Sequence, residues 1–297
     1  MIKIRIPATS ANIGPGFDSI GLAVNLYNYV TMEEHDGLII ESMDGVEVPA
    51  DETNLIYSTA KHLYELCGVT FRGLKIGQIN NIPFARGLGS SSACIIGGLK
   101  GANRLMGNPV PDGELVNIAA RIEGHPDNTA PALMGGLVTS VFAGSRVYYV
   151  KQEIKNDLKF VALIPDFELK TSEARAVLPD KIQRADGVFN LSRSALMSVS
   201  LYSGNYQNLR VAAEDRIHQP YRLKLIQGGA EAMEACYNRG AYAAFISGAG
   251  PTIMAIVSTE IPDFSENIAK SLADLGLDGW RVHTMEIDNV GTIIELA

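Results

Sequence analysis

The sequence predicts an α+β fold, because helical and strand periodicities both recur along its 297 residues and the strands come in runs instead of alternating strictly with helices. With 46% hydrophobic and 20% charged residues, the chain can build a sizeable core, as one large domain or two moderate ones. Each half also carries a glycine cluster beside a strand, the usual punctuation between elements. We place the division near residue 152, giving an N-terminal domain 1–152 and a C-terminal domain 153–297. There is no low-complexity tract, charge block or solenoid repeat, so the boundary rests on pattern alone.

The chain opens as a strand, with Ile2, Ile4 and Ile6 alternating with Lys3 and Arg5, and lacks the apolar core of a signal peptide. Residues 54–67 set Leu55, Ile56, Ala60, Leu63 and Cys67 at helical spacing, with Thr53 or Asn54 as cap and Gly68 as stop. A strand and a glycine-rich loop follow, then a helix from near Ser90 to Gly107. Another helix, Pro111 to Glu123, runs through Leu115, Val116, Ile118, Ala119 and Ile122 and delivers EGHPDNTAP at its carboxyl end, before the strand GGLVTSVF. The second half reads as a buried strand at 159–165, helices at 191–203, 205–217 and 221–239, and strands AYAAFIS and TIMAIVS around the second glycine cluster. A helix from about Pro262 to Leu275 and strands in WRVHTMEI and TIIEL complete it.

Composition narrows the function. With 25 basic and 33 acidic residues the net charge is −8, so neither nucleic acid nor an anionic membrane is an expected partner. Cys67, Cys94 and Cys236 show no metal-ligand spacing and no CxxC pair, which suits a reduced, cytoplasmic setting. The apolar runs fall far short of the roughly 20 residues that cross a bilayer.

GLGSSSA at 87–93 sets two glycines and three hydroxyls where a helix begins. Glycine lets backbone amides approach a ligand, and a helix's first turn leaves amide donors beside a positive dipole end, so this is a suitable site for an anion such as a triphosphate. It is not a Walker A loop, since the GK[ST] ending is absent, and neither cluster reads GxGxxG after a first strand with an acidic residue about 20 positions on. Alone, the motif would better suit a glycine-rich turn with serine caps.

It stands with two others. PATSANIGPGFDSIG at 7–21, IPFARGLGSSSA at 82–93 and ISGAGPTIM at 246–254 resemble, in order and spacing, the three signature motifs of the GHMP kinases. The resemblance spans nearly the whole chain and implies two α+β domains, mixed and antiparallel sheets packed with helices, and ATP-dependent phosphorylation of a small-molecule hydroxyl. It implies that Pro83, Ala85, Arg86, Gly87, Leu88, Gly89, Ser90, Ser91, Ser92 and Ala93 form the nucleotide site. The first motif would shape the substrate pocket, and the third, Gly248, Ala249 and Gly250, would close it from the second domain.

NIGPGFDS, EGHPDN, TSEAR at 171–175 and HQPYR at 218–222 are further similar to members that phosphorylate L-homoserine to O-phospho-L-homoserine in threonine biosynthesis. Such a substrate needs acceptors for its ammonium, a fork for its carboxylate and a polar holder for its hydroxyl. By the resemblance, Asn12 and Asp18 receive the ammonium, Arg175 and Arg222 clamp the carboxylate, and His125, Asn128, Thr171 and Gly248 surround the molecule. Ser91 and Glu123 match positions for Mg2+, and Ser91, Glu123 and Asn128 carry the catalytic roles. Turn chemistry would also explain Asn12 and Asp18, and a packing role His125. A carboxamide cannot accept a proton at neutral pH, so Asn128 is expected to orient the hydroxyl while the adjacent Asp127 is structural. Two rivals remain: a kinase for another alcohol such as mevalonate or a sugar, and a silent sensor on the same fold. A neutral sugar would leave Asp18, Arg175 and Arg222 without charged partners, and the sensor does not need the serines and Glu123. A homodimer is the family-level expectation.

Overall fold

The computed structural model describes residues 1–296. Its strands are β1 (Ile2–Ala11), β2 (Ile20–Glu34), β3 (Gly37–Ser42), β4 (Gly73–Ile79), β5 (Leu137–Ala143), β6 (Arg146–Gln152), β7 (Leu158–Ile164), β8 (Ala243–Ile246), β9 (Ile253–Ser258), β10 (Arg281–Met285) and β11 (Ile293–Leu296). Among the described residues they form two sheets: one in the order β11-β1-β2-β4-β3 with β5 beside β2 and β6 beside β5, the other in the order β10-β7-β9-β8. Only β3 and β4 pair in parallel, so the first sheet is mixed and the second antiparallel, as the α+β reading requires. β11 returns from the second half to pair with β1.

The helices are α1 (Leu55–Leu66), α2 (Ser90–Leu105), α3 (Asp112–Glu123), α4 (Thr129–Met134), α5 (Thr171–Ala176), α6 (Arg184–Ser203), α7 (Leu209–Ala212), α8 (Gln219–Arg222), α9 (Gly229–Asn238) and α10 (Phe264–Asp274). Asn54 caps α1 by accepting from the amides of Ile56 and Tyr57. The apolar side of α2, including Ile96, Leu99 and Ala102, packs with Ile4 and Ile6 of β1 and Ile56, Ala60 and Leu63 of α1. Each such isoleucine or leucine contributes about 1.5–3 kcal/mol when fully buried. That packing fixes where the amino terminus of α2 points. The same core runs on into the second half through Phe160, Phe245, Met254 and Ile256, while a smaller core lies beyond the second sheet around Val161, Ile246, Ile253 and Phe264. Among the described residues no helix is long and apolar enough to cross a membrane.

The second half departs from its periodicity. The expected helix at 205–217 is a 3₁₀ turn followed by the short α7, because Asp215 accepts from the amides of His218 and Gln219 and so starts a new helix there. The expected helix at 221–239 is divided: α8 and a 3₁₀ turn end before Gly228, whose φ of +76° is left-handed. α6 begins seven residues earlier than its apolar pattern suggests, at Arg184 instead of 191. The edge strands β3 and β6 and the short helices α4 and α5 carry too few residues to show a period.

One packing constraint bears on the site. A Cβ at Gly21, on β2, would lie 1.7 Å from the Asp127 carbonyl oxygen, so the EGHPDN segment rests directly on that strand. Gly21→Ala is expected to destabilise the protein by about 1–3 kcal/mol through overpacking. Thermal unfolding checks this, with an unchanged Tm as the contrary result.

Candidate active site

A cleft is lined by segments distant in sequence: the loops at 12–18 and 83–92, the segment 123–128, α5, Arg222, and residues 248–250. Its floor is the loop before α2. The carbonyls of Ala85, Arg86, Gly87 and Leu88 accept, in order, from the Leu169 amide at 3.1 Å, the Thr252 amide at 3.4 Å, the Ser247 hydroxyl at 2.6 Å and the Thr9 amide at 3.1 Å. In contrast, the amides from Ala85 through Ser92 make no hydrogen bond among the described residues. Backbone donors in a folded protein are nearly always satisfied, so a run of free amides at a cavity marks a ligand's place. The left-handed Gly89, φ +74°, heads α2 without a side-chain cap, so the donors of the first turn stay open. A Cβ there would meet the Thr9 hydroxyl at 1.9 Å.

Ser91 Oγ donates to Glu123 Oε2 at 3.1 Å, bringing the two expected metal ligands together beside these amides. The Ser90 hydroxyl is buried with no partner among the described residues. Leu88 and Ala93, expected in the nucleotide site, have their side chains in the core: Leu88 from the loop, where its carbonyl is held by the Thr9 amide of β1, and Ala93 from the inward side of α2. Arg86 is also engaged elsewhere: its guanidinium donates to the carbonyls of Pro165, Asp166 and Phe84, with Glu168 at 3.5 Å, so it fastens the loop to the end of β7.

The opposite wall carries the charged side chains. Arg175 donates to both Asp18 oxygens, at 2.6 and 3.1 Å, and that bond holds the guanidinium above its ordinary pKa. Both side chains are about a third exposed, so the pair contributes on the order of 1 kcal/mol or less and opens readily. Arg222 is buried, and burial, reinforced by the charge of Arg175, brings its pKa down to about 10, still cationic at neutral pH. Asn12 donates to the Gly248 carbonyl at 2.7 Å and accepts from the Asp18 amide at 2.9 Å, so its carboxamide ties the first motif to the third. Backbone strain collects here: Asn12, Ile13, Asp18 and Ala85 all have positive φ, and L side chains hold that conformation only where the surroundings enforce it. Thr171 and Arg175 stand one turn apart on α5 and line the same cleft.

Asp127 is buried and accepts at Oδ1 from His125 Nδ1 at 2.7 Å. Burial alone would lower the His125 pKa, but this bond and the Asp127 charge outweigh it and raise it. Asn128 Oδ1 accepts from the Thr9 hydroxyl at 2.7 Å, which turns its amide nitrogen toward Asp127 at 3.5 Å and the cleft. Asp18, His125 and Asp127 also bring ligand atoms within 4.8 Å of one another, so the two carboxylates and the imidazole share one electrostatic environment.

Sequence reasoning assigns no individual role to Thr9, Ser247 or His218. Thr9 and Ser247 fall inside the first and third motifs, but nothing local shows which residues they bind, whereas His218 carries a signal: it stands four residues before Arg222 in HQPYR, hence on the same helical face.

The models for the GHMP kinases N terminal domain and the GHMP kinases C terminal domain match residues 54–136 and 197–274. A homoserine kinase of Clostridium beijerinckii is 48% identical over 99% of both chains, and one of Clostridium botulinum is 45% identical over 99% of this chain and 98% of its own. The chain belongs to the homoserine kinase family of the GHMP kinases. Among solved structures, a homoserine kinase from Cytophaga hutchinsonii superposes with a TM-score of 0.88 at 28% identity, covering 99% of this chain and 97% of the other. A putative homoserine kinase from Listeria monocytogenes gives 0.84 at 33% identity over the whole of both. A mevalonate kinase at 17% identity and TM-score 0.69, covering 97% of this chain and all of the other, shares the fold. As a GHMP kinase of this family the chain is an ATP-dependent phosphotransferase.

Asp127→Asn is expected to bring the His125 pKa below its ordinary value, since burial remains while the opposing carboxylate is gone; NMR titration of the imidazole reads this directly. Because the folded pKa is raised, the dyad's contribution to stability is full below about 6.5, the unfolded value, and disappears as pH rises through the folded pKa. The stability gap between wild type and variant should therefore widen in acid, and a gap growing in base would contradict the pairing.

Proposed function

We propose that this chain transfers the γ-phosphoryl group of ATP to the side-chain hydroxyl of L-homoserine, giving O-phospho-L-homoserine for threonine biosynthesis. The observation that carries the proposal is one cleft with two chemistries: free amides from Ala85 through Ser92 on one side, and paired Asp18 and Arg175 with Arg222 on the other. The first suits phosphate oxygens; the second suits a zwitterion. On entry, the substrate ammonium takes Asp18 and its carboxylate takes Arg175 and Arg222, so one internal ion pair is exchanged for two with the ligand. A sugar or mevalonate offers no ammonium and would leave Asp18 uncompensated.

The base of ATP is assigned to a neighbouring apolar pocket that shares Ala85, Ser90 and Ser91 with the cleft and includes Val48, Leu55 and Phe84. Gln78 lines that pocket, and its Nε2 is buried without a partner among the described residues, a donor suited to a ring nitrogen. Ser91 and Glu123 fit Mg2+, which takes hard oxygen donors and completes its shell with phosphate oxygens and water. When bound there, the ion supplies positive charge to the phosphates.

Phosphoryl transfer needs alignment and charge stabilisation more than bond-making by the protein. Asn128, its oxygen held by Thr9, donates its amide N–H to the substrate hydroxyl oxygen and aims a lone pair at phosphorus. Asp127 is engaged with His125 and keeps a structural role. The free cysteines support a reduced cytoplasmic setting, and the exposed apolar residues Leu191, Val199 and Tyr202 of α6 support a homodimer. The net charge of −8 argues against nucleic acid. The domain boundary is proposed near residue 152, between the two family-matched segments, with β11 crossing back to the first sheet.

ADP release with ATP and Mg2+ should be strong with L-homoserine and weak with L-serine, L-threonine, mevalonate and galactose; activity on a neutral sugar, or none despite ATP binding, would reject the assignment. Arg175→Ala should lose charge-assisted bonds of roughly 1.5–3 kcal/mol, about a ten- to hundredfold rise in KM for the amino acid with little change for ATP. A KM equal to wild type would remove Arg175 from the carboxylate site.

A further inference from the structure

His218 is wholly buried beside the cleft, and the transfer described above does not use it. Its ring nitrogens face partners of fixed sense. Arg222 Nη1 lies 3.3 Å from Nδ1, and a guanidinium only donates; the Gly14 carbonyl oxygen lies 2.6 Å from Nε2, and a carbonyl only accepts. A neutral imidazole with its proton on Nε2 satisfies both, and burial, the main influence, holds its pKa below the ordinary value.

Each end of this bridge leads to a recognition element. Arg222 is also fixed by Nε donating to the Ala174 carbonyl and Nη1 donating to the Gly248 carbonyl, each at 3.1 Å. Its Nη2 makes no hydrogen bond among the described residues, which leaves that edge of the guanidinium for the cleft. Gly14 belongs to the strained loop that carries Asn12 and Asp18, and the Phe17 ring of that loop lies 5.2 Å from the imidazole, tilted by 30°. Around the ring the charged groups are Asp215, whose Oδ2 is 3.8 Å from Nε2, Arg222, and, across the loop, Asp18 with Arg175 behind Arg222. Asp215 is held by the amides of His218 and Gln219 and by Asn190, so it anchors the start of α8.

We propose that His218 is a positioning residue for the amino-acid head of the substrate: bridging Gly14 and Arg222, it sets the spacing between the site that receives the ammonium and the guanidinium that receives the carboxylate. This rests on the reading of Arg222 as a carboxylate ligand. The ring links the loop to Arg222 across 204 residues of sequence, beside the Gly248 carbonyl that accepts from both Asn12 and Arg222, so removing it loosens the spacing between them while the Gly248 tie and the phosphate side of the cleft stay in place.

The test is steady-state kinetics of His218→Ala, His218→Gln, His218→Asn and Arg222→Ala with L-homoserine and with 3-aminopropan-1-ol, which keeps the ammonium and hydroxyl but lacks the carboxylate. His218→Ala should raise KM for L-homoserine about tenfold, with kcat and KM for ATP nearly as in wild type and a distinctly smaller loss of kcat/KM for 3-aminopropan-1-ol, which uses the loop but not the spacing to Arg222. Glutamine, long enough to accept from Arg222 and donate to Gly14, should recover most of the loss, and asparagine, which is too short, should not. If His218→Ala does not fold, the glutamine and asparagine variants make the same comparison. Should His218→Ala leave the homoserine KM unchanged while Arg222→Ala raises it, the bridge has no role and the proposal is overturned. An equal loss on both acceptors and on ATP would show only structural damage and would overturn it as well. If Arg222→Ala itself leaves the homoserine KM unchanged, the carboxylate reading has failed, and the proposal with it.

Discussion

The rest of the site depends on a sorting of backbone polarity in the loop before α2. Four consecutive carbonyls, Ala85 to Leu88, are drawn away by donors from β1 and from the second half of the chain, while the amides from Ala85 through Ser92 are left without protein partners. Free buried donors are costly, on the order of 1–3 kcal/mol each when no water or ligand reaches them. They persist here because they line an open cleft and because the carbonyls are fixed from outside the loop. Three of the four fixing donors, Leu169, Ser247 and Thr252, belong to the second half, so this loop conformation depends on both halves being assembled. The core supports that assembly, since it runs without interruption from Ile4 and Leu99 to Phe160 and Met254.

The charged wall follows a different logic. An acidic chain that binds two anionic groups needs positive charge that is local and held in place. Arg222 meets this by burial, with Nε and Nη1 tied to carbonyls and to His218. Arg175 meets it by pairing with Asp18 at a half-open position. The rigid cation and the replaceable pair differ in what they contribute: on the proposed reading, the first fixes where a carboxylate lies, and the second balances the Asp18 charge at small free-energy cost.

Much of this was legible in the sequence where local pattern and local structure coincide. A cap at Thr53 or Asn54, which the structure resolves to Asn54, Ser90 as the first residue of α2 and the course of α3 to Glu123 follow from helical spacing and capping, and most residues named for the site line one cleft. The pattern failed where tertiary contacts decide. Asp215 starts a helix through a side-chain bond that apolar spacing does not reveal, and Gly228 divides a stretch whose hydrophobic residues continue in phase. Leu88 and Ala93 share the phosphate loop's motif, but their side chains belong to the core, Leu88 from the loop and Ala93 from the first turn of α2, a direction that neighbourhood in sequence does not reveal. Thr9, Ser247 and His218 act through partners more than a hundred residues away, and no local window contains such information.

The placement of Asp127 bears on how the proton leaves the substrate. A general base must reach the hydroxyl with a free lone pair. Asp127 Oδ1 is taken up by His125 Nδ1 and approached by the Asn128 amide, and the residue lies beneath the strand residue Gly21, whose missing side chain leaves room for the Asp127 carbonyl. His125, with its pKa raised, is more often protonated than an ordinary histidine near neutrality, which makes it a poorer acceptor and a better source of positive charge. Asn128 cannot accept the proton. On the proposed reading, then, every polar group near the hydroxyl orients or donates, and the proton has the phosphoryl oxygens as its destination, an economical route when the transition state is loose and the hydroxyl is deprotonated late.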